Sequence, residues 1–548
     1  MPLGTGTTEE PAIYRRLEAR VGIIDWRMRC FPRFRYGAES AQAERAGDAL
    51  RFRGLQPGDV ALLVARAKDE RGSRPPELGL EREGASAVAH GRLLPGESVS
   101  FGWLWGRSGK ISKIPDPEPS AALWAELGHR CPADGPCPFA GPWHDLVARS
   151  ALLTRLLMPH YSGSLAESVT TSLPALRGGS RNWDHRYAWL RSIPQAMQGL
   201  VGLGFEGQAR ELFQWLTDLV VRDRPEELQP VYTLDGGRYL PEQELASLSG
   251  YQGSRPVRIG NLSARQFQLD TSGHVLLASW LAEELWKDLP PGLWERLAEL
   301  TDSASMAWRK PDWGIWEVRA KPQHFLSSKL HSWACLDRAC FLAQRLGRSV
   351  PQRWLRERAI LHRTICEQGY DAQRGSFVRA FGERELDASA LLLPILGFLP
   401  FDDERVTLTL AATQEELGEG VLLRRGNPAD GSLDSDGAHW LSSLWYVSCL
   451  ALGGRADEAS DRLAELCAYA TPLGLLAEQV QPGSGLACGN FPSSSAHLTL
   501  VNAALHVSYA SAKAKGKEAP ATSLSAARLH PAQLNPARRR GVPEAGSR

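Results

Sequence analysis

Two glutamates are marked by their neighbours. Glu317 lies in the run PDWGIWEVRAKPQHF (311–325), directly after Trp316. A carboxyl beside an indole is drawn out of water, and desolvation raises its pKa toward the range of a general acid. By itself the same residue fits equally well as a surface glutamate in a loop. Glu478 ends the apolar run LGLLA in LGLLAEQVQPGSGLACGNFP (473–492), which would hold it rigidly. Cleaving a glycosidic bond needs such a pair, an acid for the leaving oxygen and a carboxylate for water. With inversion the two carboxyls stand roughly 6.5–9.5 Å apart, leaving room for that water.

Aromatic and polar side chains accompany the pair. The segment SRNWDHRYAWLRS (180–192) holds Trp183, Asp184, Tyr187, Trp189, Arg191 and Ser192. Aromatic faces stack on the apolar faces of sugar rings while charged groups bond to hydroxyls, so this mixture suits a carbohydrate pocket or a structural aromatic–arginine cluster. Arg258 and Asn261, in YQGSRPVRIGN (251–261), fit a capping turn as well as a binding role. Asp387 in RELDAS and Arg424 in LLRRGNP are weaker candidates of the same kind. No Gly-rich phosphate loop, GxSxG elbow or HExxH helix is present. Cys131 and Cys137 are a close pair, but one pair is too few ligands for a structural zinc site, so neither metal nor cofactor is expected. The nine cysteines are scattered and odd in number, as for free thiols in a reducing cytosol.

The elements that must position these residues follow from periodicity. Before residue 114, GIIDWRMRCFPRF, DALRFRG, DVALLVARA and ESVSFGWLWG alternate or run apolar between Gly, Pro and Asp, which predicts an antiparallel β-domain over 1–114. A Pro/Cys/Gly-rich stretch over 115–141 reads as a linker. Twelve segments of helical periodicity then fill 142–512: about 142–158, 185–203, 207–222, 262–286, 291–309, 327–347, 351–369, 386–397, 403–415, 436–452, 455–469 and 495–512. The tail over 513–548 has no sustained apolar face and reads as disordered. Connections after the even-numbered helices are short, whereas those after the odd-numbered ones are longer and hold the clusters above. In an up-down ring alternate connections emerge on one face, so a closed (α/α)6 barrel is predicted, with its elaborate loops at one end. Lys+Arg of 63 against Asp+Glu of 62 leaves no basic field for nucleic acid. No apolar run has the length of a membrane span, so a cytoplasmic protein with a carbohydrate as its partner is expected.

At these loops the chain resembles glycoside hydrolase family 15, which contains glucoamylases, glucodextranases and some bacterial trehalases. The matching strings are TTSLPALRGGSRNWDHRYAWLR, LPEQELASLSGYQGSRPVRIGN, WGIWEVRAKPQHF, ELDASALLLPILGFLP and GLLAEQVQPGSG…GNFP, with CFPRFRYG matching weakly near residue 30. The resemblance covers about 141–508 and implies a twelve-helix barrel behind an N-terminal β-sandwich. It implies Glu317 as general acid and Glu478 as general base of an inverting, exo-acting α-glucoside hydrolase, with Trp189, Arg191 and Arg424 at the terminal-glucose subsite. Trehalose and other α-glucosides stay open as substrates. Family members carry a longer stretch before the PRFxYG strand, so a partial sandwich is expected. Other positions depart from the pattern: Ser192 stands where the family has an aspartate gripping glucose, Ser272 and His274 replace a tyrosine and a glutamate, and Ser495 replaces an aromatic residue. A lost charged hydrogen bond is worth roughly 1.5–3 kcal/mol, so the alternative is an eroded subsite in a catalytically impaired relative with a sugar-binding or scaffold role. If the site is merely eroded, Ser192 should point into the pocket and Ser192→Asp should restore glucose binding.

Overall fold

Helices that are apolar on one face alternate with helices that are buried all round, and this sorts them into two layers. Among the described residues twelve helices follow Trp143: α1 (His144–Leu157), α2 (Ile193–Gly202), α3 (Glu206–Arg222), α4 (Asp270–Trp286), α5 (Leu293–Ala307), α6 (Leu326–Arg345), α7 (Gln352–Gln368), α8 (Leu392–Ile395), α9 (Glu404–Leu417), α10 (Trp440–Leu452), α11 (Ala456–Cys467) and α12 (Ser494–Ala514). In α7 only Trp354, Glu357, Leu361 and Ile365 are buried, a single stripe at helical spacing. In α6 the buried set runs almost unbroken from Leu326 to Ala343. The even-numbered helices touch in sequence, α2 to α4, α4 to α6, and onward through α8 and α10 to α12, which returns to α2. They form the inner ring of an (α/α)6 barrel, with the odd-numbered helices outside.

This computed structural model describes residues 12–56, 60–69, 72–74, 76, 78–80, 86–105, 122, 124, 128–129, 131, 137–426 and 437–517. The chain divides into two units, Met1–Gly128 and His129–Arg548. Most of the expected linker, and the tail beyond residue 517, lie outside the described residues.

Four helices begin later or run shorter than periodicity predicts, among them α10, which starts at Trp440 after the strand Ala438–His439. Residues 185–192 precede α2 as a short strand, Ala188–Trp189, and a 3-10 turn, and Pro194 sits in the first helical turn where its missing N–H costs nothing. Residues 262–265 form a 3-10 turn capped by Asn261, whose side chain accepts from the Ser263 N–H at 3.0 Å. The expected helix over 386–397 is a 3-10 turn (Ala388–Leu391) followed by the single turn of α8, which Pro394 and the left-handed Gly397 keep short.

The N-terminal unit is antiparallel β. One sheet orders β1 (Ala12–Glu18), β9 (Ser98–Trp105), β5 (Val60–Asp69), β4 (Ala49–Arg53) and β3 (Gln42–Ala46), with β6 (Gly72–Arg74) on β5. The other orders β2 (Ile24–Cys30), β8 (Ala87–Leu93) and β7 (Gly79–Leu80). Phe52, Leu63 and Trp103 of the first sheet share a core with Met28 and Ala89 of the second. The arginines on alternate positions of β2 point to solvent, as a strand with one wet face requires. No helix among the described residues is long and apolar enough to cross a membrane.

Candidate active site

The loops that run from an outer to an inner helix join one another around one end of the barrel. Bridges link Phe325 to Ala380 and Asp387 to Gly426, and Asn490 bonds the Trp183 carbonyl at 2.9 Å. They enclose an open cavity of about 880 Å³ lined by Glu167, Trp183, His185, Arg191, Trp316, Glu317, Arg425 and Glu478, among others. Glu317 comes from the loop before α6 and Glu478 from the loop before α12. Half a ring separates those loops, and both carboxylates reach the same space.

Each glutamate is held by its own backbone device. Glu317 sits in the left-handed region, φ 55°, with its N–H on the Gly314 carbonyl at 3.1 Å. A non-glycine residue there costs of order 1–2 kcal/mol, a strain typical of functional sites. Gly314, φ 68°, permits the turn, because a Cβ there would lie 2.7 Å from the Phe325 ring. Trp189 donates to the Glu317 carboxylate at 2.7 Å, and Arg191 forms an ion pair with it. Glu478 pairs with His185 at 2.9 Å and accepts from the Asn490 N–H at 2.5 Å. Gly489 makes that possible, since a Cβ there would stand 2.5 Å from the Glu478 Oε2.

These partners set the charges. Burial pushes Glu478 toward the neutral form, but the His185 charge and hydrogen bond, the Asn490 N–H and Arg425 outweigh it, so its pKa is lowered. Burial opposes the charged form of His185, yet Glu478, Glu167 and Glu317 around it raise its pKa. His439, buried and facing Arg425, Arg191 and His185, is held well below the usual imidazole value. For Glu317 burial is again the largest influence and raises the pKa, but Arg191, Ser263 and Trp189 together win and lower it. The expectation of a raised Glu317 pKa is therefore corrected for the ligand-free protein. Trp316 does desolvate the loop, but its indole N–H is spent on Asp387 at 2.9 Å, while a guanidinium sits against Glu317.

Of the sequence candidates, Trp183, Arg191, Trp316, Glu317 and Glu478 line this cavity, and Trp189, itself 2 % exposed, supports it through Glu317. Asn261 also lines it. The other candidates stand elsewhere. Asp184 is buried and bidentate to Arg186 at 2.8 and 2.7 Å, with the Gly260 N–H on it at 3.0 Å, which makes it a structural tie. Tyr187 packs with Trp189, Val231, Leu240 and Ala264. Arg258 lies behind the cavity, 4.6 Å from the Trp183 ring, with Nη1 on the Ser180 carbonyl at 2.7 Å. Arg424 is largely solvent-facing and pairs with Glu419, and its neighbour Arg425 takes the cavity side, 5.3 Å from the Trp316 ring. The chain leaves the Leu422–Leu423 strand at Arg424 and bends at Arg425, and the two neighbouring side chains take different sides.

Ser192 lines a second, more apolar cavity of about 1060 Å³ that shares Arg191, Ile315, Trp316, Leu441 and Ser495 with the first. Its Oγ is committed to Glu167 at 3.1 Å and Ser495 at 3.0 Å. Glu167 also accepts from the hydroxyls of Ser493 at 3.0 Å, Ser494 at 3.3 Å and Ser495 at 2.6 Å. A carboxylate thus reaches the region by another route, and two departures from the family pattern, Ser192 and Ser495, are its hydrogen-bond partners. Glu167 lies just upstream of the quoted motifs and carried no local signal. His185 and Arg425 stood inside the motifs, between more conspicuous neighbours.

Two carboxylates facing one open cavity are the groups that glycosidic hydrolysis requires. Residues 141–505 match the model of Glycosyl hydrolases family 15, and the chain belongs to that family. It is a glycoside hydrolase. Relatives are a trehalase of Mycobacterium tuberculosis (strain ATCC 25618 / H37Rv), 36% identical over 515 residues covering 91% of this chain and 73% of the relative, and a trehalase of Thermoplasma acidophilum, 34% identical over 368 residues covering 67% and 63%. A bacterial glucoamylase complexed with acarbose shares the fold, with a TM-score of 0.65 at 13% identity, covering 90% of this chain and 77% of that one.

Proposed function

We propose that this α-glucoside hydrolase cleaves trehalose with inversion, Glu317 acting as general acid and Glu478 as general base. The observation that carries the reading is the convergence of two carboxylates from opposite loops on one open cavity, with His185 and Arg191 fixing them. Trehalose is favoured over other α-glucosides by the trehalase relatives, one of which matches 91% of the chain. Glu478, ionised beside the His185 imidazolium, takes a proton from water as the water attacks the anomeric carbon. Glu317 gives its proton to the oxygen of the departing glucose. It acquires that proton when sugar hydroxyls engage the Arg191 guanidinium, because burial is then left as the dominant influence on the Glu317 carboxyl. Glu167 stands in for the aspartate that Ser192 replaces, so the subsite is rebuilt rather than lost. Nine cysteines without a disulfide support a cytoplasmic setting.

Inversion of trehalose predicts a distinctive product: the attacked glucose leaves as β and the other as α, in equal amounts. Proton NMR during the first turnovers reads this directly, with maltose, isomaltose and starch run beside trehalose. Release of the α anomer alone would exclude inversion, and faster turnover of maltose or starch would move the substrate. Glu317→Gln and Glu478→Gln are each expected to lower kcat by about a thousandfold or more with an unchanged far-UV spectrum.

A further inference from the structure

The sequence offers one close cysteine pair, and the fold adds two histidines to it. His129, Cys131, Cys137 and His144 bring their ligand atoms within 4.8 Å of one another. His129 Nε2 lies 3.3 Å from Cys137 Sγ, and His144 Nε2 lies 3.2 Å from Cys131 Sγ. In a tetrahedral zinc site with two sulfurs and two nitrogens, bond lengths of about 2.3 and 2.0–2.1 Å place ligand atoms roughly 3.3–3.8 Å apart. We propose that these four residues form a structural zinc site at the start of the barrel unit.

The surroundings suit that use. His144 opens α1, and its other ring nitrogen, Nδ1, lies 3.4 Å from the Asp145 carboxylate, the kind of partner that fixes the tautomer of a zinc-bound imidazole. Phe139 and Trp143, buried in the barrel core, anchor the chain between Cys137 and His144. A turn from the Cys137 carbonyl to the Ala140 N–H, 3.0 Å, presents the Cys137 sulfur. Four protein ligands leave no open position, so the site is structural rather than catalytic. Binding displaces one proton from each thiol to solvent, and two thiolates balance the Zn²⁺ charge. The site ties the segment around 129–137 to the N-terminus of α1. Its spacing, HxC followed by CxxxxxxH, departs from the common CxxC and HxxxH patterns, so counting cysteines underestimates the ligands.

The test is metal content of the full chain, purified without a polyhistidine tag or chelator and with reduced thiols. Mass spectrometry of the metals is expected to find about one zinc per chain, falling at least tenfold in Cys131→Ser and Cys137→Ser and unchanged in Cys467→Ser. If the serine variants fail to fold, cobalt exchange into the parent chain decides: tetrahedral S2N2 ligation gives visible d–d bands and thiolate charge transfer. The proposal is overturned if the parent chain holds no zinc after incubation with equimolar zinc and desalting. It is equally overturned if Cys131 and Cys137 are found disulfide-bonded in anaerobically prepared protein. Stoichiometry is independent of turnover, so a failed trehalase assay leaves this result standing.

Discussion

Replacing Ser192 by aspartate restores the residue of the family pattern and, in this structure, is expected to harm the enzyme. Ser192 Oγ lies 3.1 Å from the Glu167 carboxylate and donates to it. An aspartate there removes the donor and sets a second negative charge at about 4 Å, where like charges repel by roughly 4 kcal/mol at an effective dielectric of 20. If side-chain rotation relieves two thirds of that, the remaining ~1.4 kcal/mol still costs about tenfold, and the unrelieved repulsion about a thousandfold. Initial rates of glucose release from trehalose, with thermal melts to confirm folding, should therefore show kcat/KM reduced at least tenfold in Ser192→Asp. The combination Glu167→Gln with Ser192→Asp returns the site to one carboxylate and is expected to recover at least tenfold over the single variant, a coupling read from the double-mutant cycle. An increase in kcat/KM for Ser192→Asp alone, or a double variant no better than the single one, refutes the substitution of Glu167 for the family aspartate.

The remaining outcomes are more direct. Glu317 must be protonated to act as the acid and its pKa is lowered in the free enzyme, so the alkaline limb of kcat/KM should lie below the usual carboxylate value; Arg191→Gln removes the main cation on Glu317 and should move that limb upward. An unmoved limb in the pH–rate profile would contradict the role given to Arg191. The Glu478 carboxylate, lowered from 4.5, contributes stability above that value and loses it as pH falls through its folded pKa. His185, raised from 6.5, contributes below that value and loses it as pH rises, so melting temperature gains most from the pair between 4.5 and 6.5, and His185→Gln should flatten that window. Gly489→Ala puts a methyl 2.5 Å from the Glu478 Oε2 at φ 79°, and is expected to lower kcat at least a hundredfold, seen in trehalose turnover beside an unchanged helical spectrum. Arg425→Ala should raise KM or lower kcat by about tenfold or more while Arg424→Ala stays within about twofold; the reverse ranking would restore Arg424 to the cavity.

Much of the architecture is written locally and can be read without the structure. The one-sided stripe of α7 is visible as helical periodicity, whereas α6 is buried all round although its sequence carries Ser328, Lys329, His331, Asp337 and Arg338, so its place in the inner layer is decided by the ring. The alternation of short and long connections places the loops of Glu317 and Glu478 at one end, and WGIWE and LAEQ carry those glutamates in recognisable strings. What the sequence leaves open depends on distances between residues far apart in the chain. Glu167 meets Ser495 across 328 positions, and Arg191 meets Glu317 across 126. No local pattern encodes either contact: the first sets a carboxylate beside Ser192 that its sequence neighbours do not announce, and the second turns a raised Glu317 pKa into a lowered one. Facing is decided at the same level. Arg424 and Arg425 are chemically alike in sequence, and only the tertiary structure puts the first on Glu419 and the second into the cavity. The cluster of His129, Cys131, Cys137 and His144 follows the same rule, because the two histidines join the two cysteines only when the turn at Cys137 and the start of α1 bring them together. Periodicity determines which face of an element is buried; closure of the ring determines which charges meet, and charge balance at contact distance is what sets the chemistry.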